Sequence, residues 1–144
     1  MTSRTRGRAC LAGPGLYPSA PMSNRPLLPE AKLAPHVAEA MGDFHRNVIE
    51  AVQAAIARDP LVVVGMAQNP FVKRVRQALE AAGLKFTYLE YGSYFGQWKE
   101  RLAIKMWSGW PTFPQVFVRG TLIGGFEDTK RLLADGSLQK MLAG

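Results

Sequence analysis

The residues of this chain best placed to do chemistry stand at the predicted start of a helix, and none of them is a nucleophile. Asn69, Pro70, Phe71 and Val72 follow a short apolar run. Asn is favoured at the N-cap of a helix and Pro at its first position. The N–H groups and the dipole at such an end attract a carboxylate, a thiolate or a phosphate. Asn69 therefore either caps the helix only or also helps to hold an anionic ligand.

The chain contains a single cysteine, Cys10. One cysteine cannot form a disulfide within one chain, and it cannot build a cysteine-based metal site. His36 and His45 lack the company of further metal-ligating residues, so we interpret them as surface or packing residues. We therefore expect no bound metal. This cysteine usage agrees with a reducing compartment, and we expect a cytoplasmic location.

The net charge of +7 is spread along the chain. Residues 1–30 carry four arginines and one glutamate, and the remaining basic residues are mixed with acids throughout. Nucleic-acid-binding proteins usually cluster their basic residues on a recognisable module, and no such cluster occurs here. The longest apolar runs, such as residues 61–66, are far shorter than the ~20 residues of a membrane helix. We therefore expect neither nucleic acid nor a membrane as a partner.

Residues 1–30 are rich in Arg, Ser, Gly and Pro and have no hydrophobic period, which predicts a disordered leader. Three interpretations remain open: a flexible tail, a transit peptide for organellar import, or an assigned start codon that lies too early. The absence of acids before Glu30 agrees with import, and Met22 offers a later start. Residues 31–144 are predicted to form one domain.

Hydrophobic periodicity and turn residues predict a series of helices and strands over residues 33–142. The strand-helix-strand unit predicts a parallel crossover, and the later hairpin adds an antiparallel pair. We therefore expect an α/β fold, with a small mixed sheet of four strands flanked by helices and an N-terminal helical extension. The predicted helices span residues 33–58 (broken at Gly42-Asp43, with Asp43 as an N-cap), 70–83, 94–107, 126–133 and 137–142, and the predicted strands span residues 61–65, 86–90, 115–118 and 122–123.

Residues 110–125 read Trp-Pro-Thr-Phe-Pro-Gln-Val-Phe-Val-Arg-Gly-Thr-Leu-Ile-Gly-Gly. This stretch resembles the second half of a glutaredoxin, and it is most similar to the monothiol members. Residues 101–112 are also similar to the family's Arg-Gln-Gly-Leu-Lys-Glu-Tyr-Ser-Asn-Trp-Pro-Thr segment. The resemblance covers residues 44–144. It implies the thioredoxin fold in its glutaredoxin-like form.

The resemblance also implies a glutathione site. Pro114 is expected to follow a cis peptide bond, with the backbone of Phe113 facing the ligand. Arg101 is expected either to pair with a carboxylate of the tripeptide, as a guanidinium can in a bidentate way, or to be a solvated charge on a helix. The implied ligand-binding set is Asn69, Phe71, Arg101, Thr112, Phe113, Pro114, Gly125, Phe126 and Glu127.

The chain departs from the family pattern where the chemistry should occur. Asn69 stands at the position of the nucleophilic cysteine, and Val72 at that of the second Cys or Ser. Met66 replaces a lysine of dithiol members, and Phe126-Glu127 replaces a Cys-Asp pair. Only a thiolate attacks in this chemistry. An iron–sulfur cluster is not expected either, because its ligand in the family is the missing cysteine.

These observations favour a glutaredoxin-like protein that is not a catalyst but a module that binds glutathione or an extended peptide. Two alternatives remain open. The first is a glutathione-transferase-like enzyme that activates bound glutathione at Asn69 and the helix N-terminus, although the chain has no additional all-helical domain. The second is residual thiol–disulfide oxidoreductase activity that uses Cys10.

Overall fold

The computed structural model describes residues 25–144. Most of the predicted leader, including Cys10, therefore lies outside the described residues. Within its last part, residues 25–29 carry no regular secondary structure, and Glu30–Lys32 form one 3-10 turn.

Six helices and four strands follow in residues 33–144, in an alternating order that matches the predicted α/β class. The helices are α1 (Pro35–Asp43), α2 (Arg46–Arg58), α3 (Pro70–Ala81), α4 (Trp98–Ser108), α5 (Phe126–Ala134) and α6 (Ser137–Ala143). The strands are β1 (Leu61–Gly65), β2 (Thr87–Glu90), β3 (Gln115–Val118) and β4 (Thr121–Gly124).

The sheet has the strand order β2-β1-β3-β4. β1 pairs in parallel with β2 and antiparallel with β3, and β3 and β4 form the antiparallel hairpin. The sequence therefore predicted the mixed four-strand sheet and both kinds of pairing correctly. This is the thioredoxin-fold arrangement, with helices on either side of the sheet.

The core lies on both faces of β1, all five residues of which are buried. Successive residues of a strand point to opposite faces. Val62 and Val64 accordingly pack in one apolar cluster with α2 and α4, while Leu61 and Val63 pack in another with α3, α5 and α6. The short β-branched run of the sequence is thus the centre of the sheet, as expected for a strand that is covered twice.

The N-terminal helical region is broken two residues later than predicted. α1 ends at Asp43, so Asp43 is not the N-cap of the next helix. The N-cap of α2 is His45, which adopts a left-handed conformation with φ of 47°. The Arg46 side chain then bonds back to the carbonyl of Gly42 at 3.0 Å, across the break. α2 buries Val48, Val52 and Ala55, whereas α1 has no buried residue, so only α2 belongs to the core.

The predicted start of α4 was also wrong, since the helix begins at Trp98 and not near residue 94. Gly92 and Gln97 both have positive φ, which no helical residue can have, and Ser93 and Gly96 form an isolated bridge. Residues 92–97 are therefore a tight turn. None of the helices in residues 25–144 combines the length and the apolar character that a membrane span requires.

Candidate functional site

A groove of about 520 Å³ lies where the end of β1, the start of α3, the segment before β3 and the start of α5 meet. It brings together every residue of the predicted binding set except Arg101. Those lining it are Asn69, Phe71, Thr112, Phe113, Pro114, Gly125, Phe126 and Glu127, joined by Met66, Pro70, Tyr94, Lys105, Trp110, Pro111 and Asp128.

Further recesses lie elsewhere among the described residues. One of about 340 Å³ lies between α1, α2 and α4, and is lined by residues such as Phe44, Ile49 and Trp107. A wider one of about 750 Å³ is lined mainly by residues 56–60 and 119–120. None of these recesses includes a residue of the predicted set, so the groove at α3 is the candidate site.

One wall of the groove is the start of α3, which Asn69 caps. Its side-chain oxygen Oδ1 accepts hydrogen bonds from the backbone N–H groups of Phe71 at 2.9 Å and of Val72 at 3.2 Å. Pro70 occupies the first helical position, where its missing N–H is not needed. The capping interpretation of Asn69 is therefore confirmed. The amide oxygen takes N–H groups that would otherwise point at a ligand.

Val72 does not reach the groove. It is only 2% exposed and packs in the core beside Gly65, where a Cβ would lie 2.7 Å from a Val72 methyl carbon. The position at which the resemblance places the family's second Cys or Ser is therefore a core position in this chain. A polar or reactive group placed there would be buried among apolar side chains.

The opposite wall is the segment from Trp110 to Pro114. The Phe113–Pro114 peptide bond is cis, as the resemblance implies. Among the described residues, the backbone N–H and carbonyl of Phe113 have no hydrogen-bond partner. Buried backbone groups are normally paired, so these two groups are suited to pair with the backbone of a ligand.

The third wall is the start of α5. Its N-cap Gly125 donates its N–H to the carboxylate of Asp128 at 3.2 Å, and Asp128 also pairs with Arg131 at 3.4 Å. Gly124 has φ of 115°, and the Asp128 carboxylate fills the space that a Cβ would need there. Asp128 is therefore committed to the fold. Glu127 is exposed, lines the groove and makes no ion pair with any described residue.

Arg101 does not line the groove, and its burial contradicts the expectation of a solvated charge. The residue is 8% exposed, and its Nη1 donates to the carbonyl oxygens of Tyr91 at 2.9 Å and Gly96 at 2.6 Å. A buried guanidinium needs such acceptors, and the turn before α4 supplies them. Arg101 therefore holds the turn in place.

The cation that does line the groove is Lys105, which the sequence analysis missed. It lies one turn after Arg101 on α4, and its Nζ is 5.7 Å from the ring centre of Phe113. Residues four apart share a helix face, yet Arg101 does not line the groove, so this spacing alone could not have identified Lys105. Tyr94 and Trp110 were also absent from the predicted set. Their turn and loop positions depend on tertiary contacts.

The groove combines unpaired backbone groups with side chains of both charges. The N–H and carbonyl of Phe113 lie in it, Lys105 supplies a positive charge, and Glu127 supplies a negative charge. Aromatic rings form much of the remaining surface, and those of Phe71 and Phe126 lie 6.1 Å apart. The described residues contain no cluster of three His, Cys, Asp or Glu side chains that could hold a metal ion.

The groups with shifted pKa values lie outside this groove. Burial and the adjacent Glu90 carboxylate raise the pKa of the Tyr88 hydroxyl on β2 to about 12. Hydrogen bonds from Arg58 and Thr87 lower the pKa of Asp59 below its usual range. These shifts belong to the scaffold and do not mark an acid or base in the groove.

Comparison with known proteins agrees with this geometry. The family model described as Glutaredoxin matches residues 61–123. A glutaredoxin-like protein of Dictyostelium discoideum is 47% identical over 116 residues, which cover 81% of this chain and 93% of that protein. A probable monothiol glutaredoxin of Legionella pneumophila is 36% identical over 77 residues, covering 54% of this chain and 83% of that protein.

Solved structures show the same relationship. A wheat glutaredoxin has a TM-score of 0.59 at 28% identity, covering 67% of this chain and 91% of the wheat chain. A buckwheat glutaredoxin in complex with glutathione has a TM-score of 0.59 at 25% identity, covering 68% of this chain and 89% of the buckwheat chain. With a relative so similar over most of both sequences, this chain belongs to the glutaredoxin family.

Proposed function

We propose that this member of the glutaredoxin family binds glutathione, or a peptide of similar backbone, in the groove and does not carry out thiol–disulfide exchange there. The observation that carries the proposal is the amide cap at the start of α3. Asn69 Oδ1 accepts two backbone N–H groups at the position where the family places its nucleophile. An amide is not a nucleophile, so the groove can bind a ligand but has no group at this position that could carry out thiol–disulfide exchange.

The groups around the cap support binding. The unpaired N–H and carbonyl of Phe113 match the donor and acceptor of one peptide unit. Lys105 can pair with a ligand carboxylate, and Glu127 with a ligand ammonium group. Glutathione carries all of these groups, and the related buckwheat glutaredoxin is in complex with it.

The transferase alternative has less support. That reaction needs donors that stabilise the thiolate of bound glutathione. The N–H groups of Phe71 and Val72, which would be the natural donors, already bond to Asn69 Oδ1. The Nδ2 group of Asn69 is the remaining donor of that side chain, and one neutral donor stabilises a thiolate weakly.

Titration with reduced glutathione, followed by amide NMR, tests the proposal. We expect shifts confined to residues 69–72, 113 and 125–127. Lys105→Ala should weaken this binding several-fold, because a charge-assisted pair is lost. The matched control is Lys85→Ala, which removes an exposed lysine that lies outside the groove lining. Absence of shifts at millimolar glutathione would overturn glutathione binding.

Two activity measurements separate the proposal from its alternatives. Wild-type protein should reduce a mixed disulfide of glutathione no faster than the buffer control. Turnover that disappears in Cys10→Ser would instead establish the oxidoreductase alternative. Conjugation of glutathione to a generic aryl halide that disappears in Asn69→Ala would establish the transferase alternative.

A further inference from the structure

The turn before α4 and Trp98, the first residue of that helix, expose three large aromatic side chains beside the groove. Tyr94, Phe95 and Trp98 are 60%, 91% and 59% exposed. Single exposed apolar residues are common, but an apolar patch of this kind marks an interaction surface. Tyr94 also lines the groove, whereas Phe95 and Trp98 do not. The patch is thus a continuation of the groove, and a ligand confined to the groove leaves Phe95 and Trp98 uncovered.

The backbone that carries these rings is held firmly. Arg101 bonds to the carbonyls of Tyr91 and Gly96, which flank Tyr94 and Phe95 in the sequence. Ser93 accepts hydrogen bonds from the N–H of Phe95 at its hydroxyl and of Gly96 at its carbonyl. Exposed side chains on a fixed backbone lose little further freedom when a partner binds. Aromatic residues presented in this way are typical of the anchors that dominate protein interfaces.

The charges around the rings are mainly positive. Four cations, those of Arg74, Lys99, Lys105 and Lys130, each lie 5.5–5.9 Å from the centre of an aromatic ring of the groove or the turn. Of the nearby acids, Asp128 pairs with Arg131, and Glu90 accepts a hydrogen bond from Tyr88, whose ring centre lies 4.0 Å from the Arg76 guanidinium. Glu100 and Glu127 are the carboxylates that remain, so the surface favours an acidic partner.

We propose that the groove and the turn over residues 92–98 together bind an extended acidic segment of a partner protein, with an apolar side chain of that segment against Phe95 and Trp98. The proposal rests on the proposed function, because both use the same groove. The unpaired backbone groups of Phe113 match a polypeptide and not a sugar-phosphate chain.

Two fluorescein-labelled nonapeptides test the proposal. Both have a central Trp-Leu pair, flanked by Glu and Asp in one and by Gln and Asn in its neutral twin. Fluorescence anisotropy is measured at low and physiological salt. We expect the acidic peptide to bind about tenfold more tightly than its twin, with a difference that decreases as salt screens the charges.

Three variants locate the binding surface. The double variant Phe95→Ser/Trp98→Ser should weaken acidic-peptide binding about tenfold or more, because anchors of an interface are lost. Lys99→Glu should weaken it several-fold without removing a ring, so it reports on charge even if the double variant folds poorly. Lys85→Glu makes the same charge change at an exposed lysine outside the groove and the turn, and should leave the affinity unchanged.

Equal affinity for the two peptides, or an unchanged affinity in both the double variant and Lys99→Glu, overturns the inference. Tighter binding of an oligothymidylate, or of vesicles containing phosphatidylserine, than of the acidic peptide also overturns it. The glutathione titration of the wild-type protein distinguishes failure of this inference from failure of the proposed function. If glutathione binds and the peptides do not differ, only this inference fails; if neither glutathione nor any peptide binds, the proposed function fails.

Discussion

The side-chain oxygen of Asn69 accepts a hydrogen bond from the backbone N–H of Val72 at 3.2 Å. The resemblance places these two residues at the positions of the two active-site thiol or hydroxyl groups of the family. Asn69 lies at the groove surface and caps α3, and Val72 is buried beneath it. Both residues therefore stabilise the fold at the start of α3, which leads to specific expectations for their variants.

We predict that Asn69→Cys, made in a Cys10→Ser background, creates a reactive thiol. A cysteine at a helix N-terminus has a lowered pKa, because the N–H groups and the dipole stabilise the thiolate. The rate of carbamidomethylation at neutral pH should exceed that of free cysteine. Val72→Cys is the matched control, since its buried thiol should react far more slowly. Equal rates at the two positions would contradict this assignment of surface and core.

Asn69→Ala should lower the free energy of unfolding by about 1 kcal/mol, the usual effect of removing an N-cap side chain. Two N–H groups lose their acceptor in this variant. Asn69→Asp keeps an oxygen acceptor and adds a negative charge at the positive end of α3, so it should retain wild-type stability or exceed it. Urea denaturation measures both values, and an unchanged midpoint in Asn69→Ala would show that the cap contributes nothing.

Arg101→Met should lower the free energy of unfolding by about 1–3 kcal/mol, because two carbonyl groups lose a charged donor. The same variant should increase hydrogen exchange at the N–H groups of Ala67 and Gly96, which bond within this region. Lys73→Met, on the exposed side of α3, should change neither quantity. If Arg101 acted only on a ligand, the unliganded variant would keep wild-type exchange rates.

The charged carboxylate of Asp59 should stabilise the folded protein at neutral pH, and this stabilisation should be lost in acid. Arg58 and then Thr87, which donates its hydroxyl at 2.8 Å, hold the pKa of Asp59 below its ordinary value. A lowered pKa in the folded state stabilises the protein above the ordinary carboxyl pKa, and this contribution is lost as the pH falls through the folded value. Asp59→Asn should therefore be less stable than wild type at neutral pH, and the difference should narrow in acid.

A urea series from neutral to acidic pH measures this dependence. Thr87→Val is the companion variant, because it removes the hydroxyl donor and keeps the carboxylate. The stability of Thr87→Val should depend on pH less than that of wild type, but the dependence should not disappear, since Arg58 still pairs with Asp59. A constant difference between wild type and Asp59→Asn at every pH would contradict the assigned role.

The hairpin, the central strand and the start of α3 were predicted correctly because their signals are local. The β-branched run of β1 and the turn between β3 and β4 depend on residues that are neighbours in sequence. The break between α1 and α2 was misplaced, since the N-cap of α2 is His45 and not Asp43, a residue type that caps helices better. The start of α4 was misplaced because Arg101 stabilises a turn in a stretch whose residue types also permit a helix.

The sequence by itself determined that no thiol stands at positions 69 and 72, and that Asn69 and Pro70 start a helix. Both follow from residue identity and from hydrogen bonds that span three residues. Only the tertiary structure decided that Arg101 is buried beneath the turn while Lys105 lines the groove. The two cations share one helix, and their different roles depend on which distant segments pack against each of them. Contacts of this kind are not encoded in local spacing.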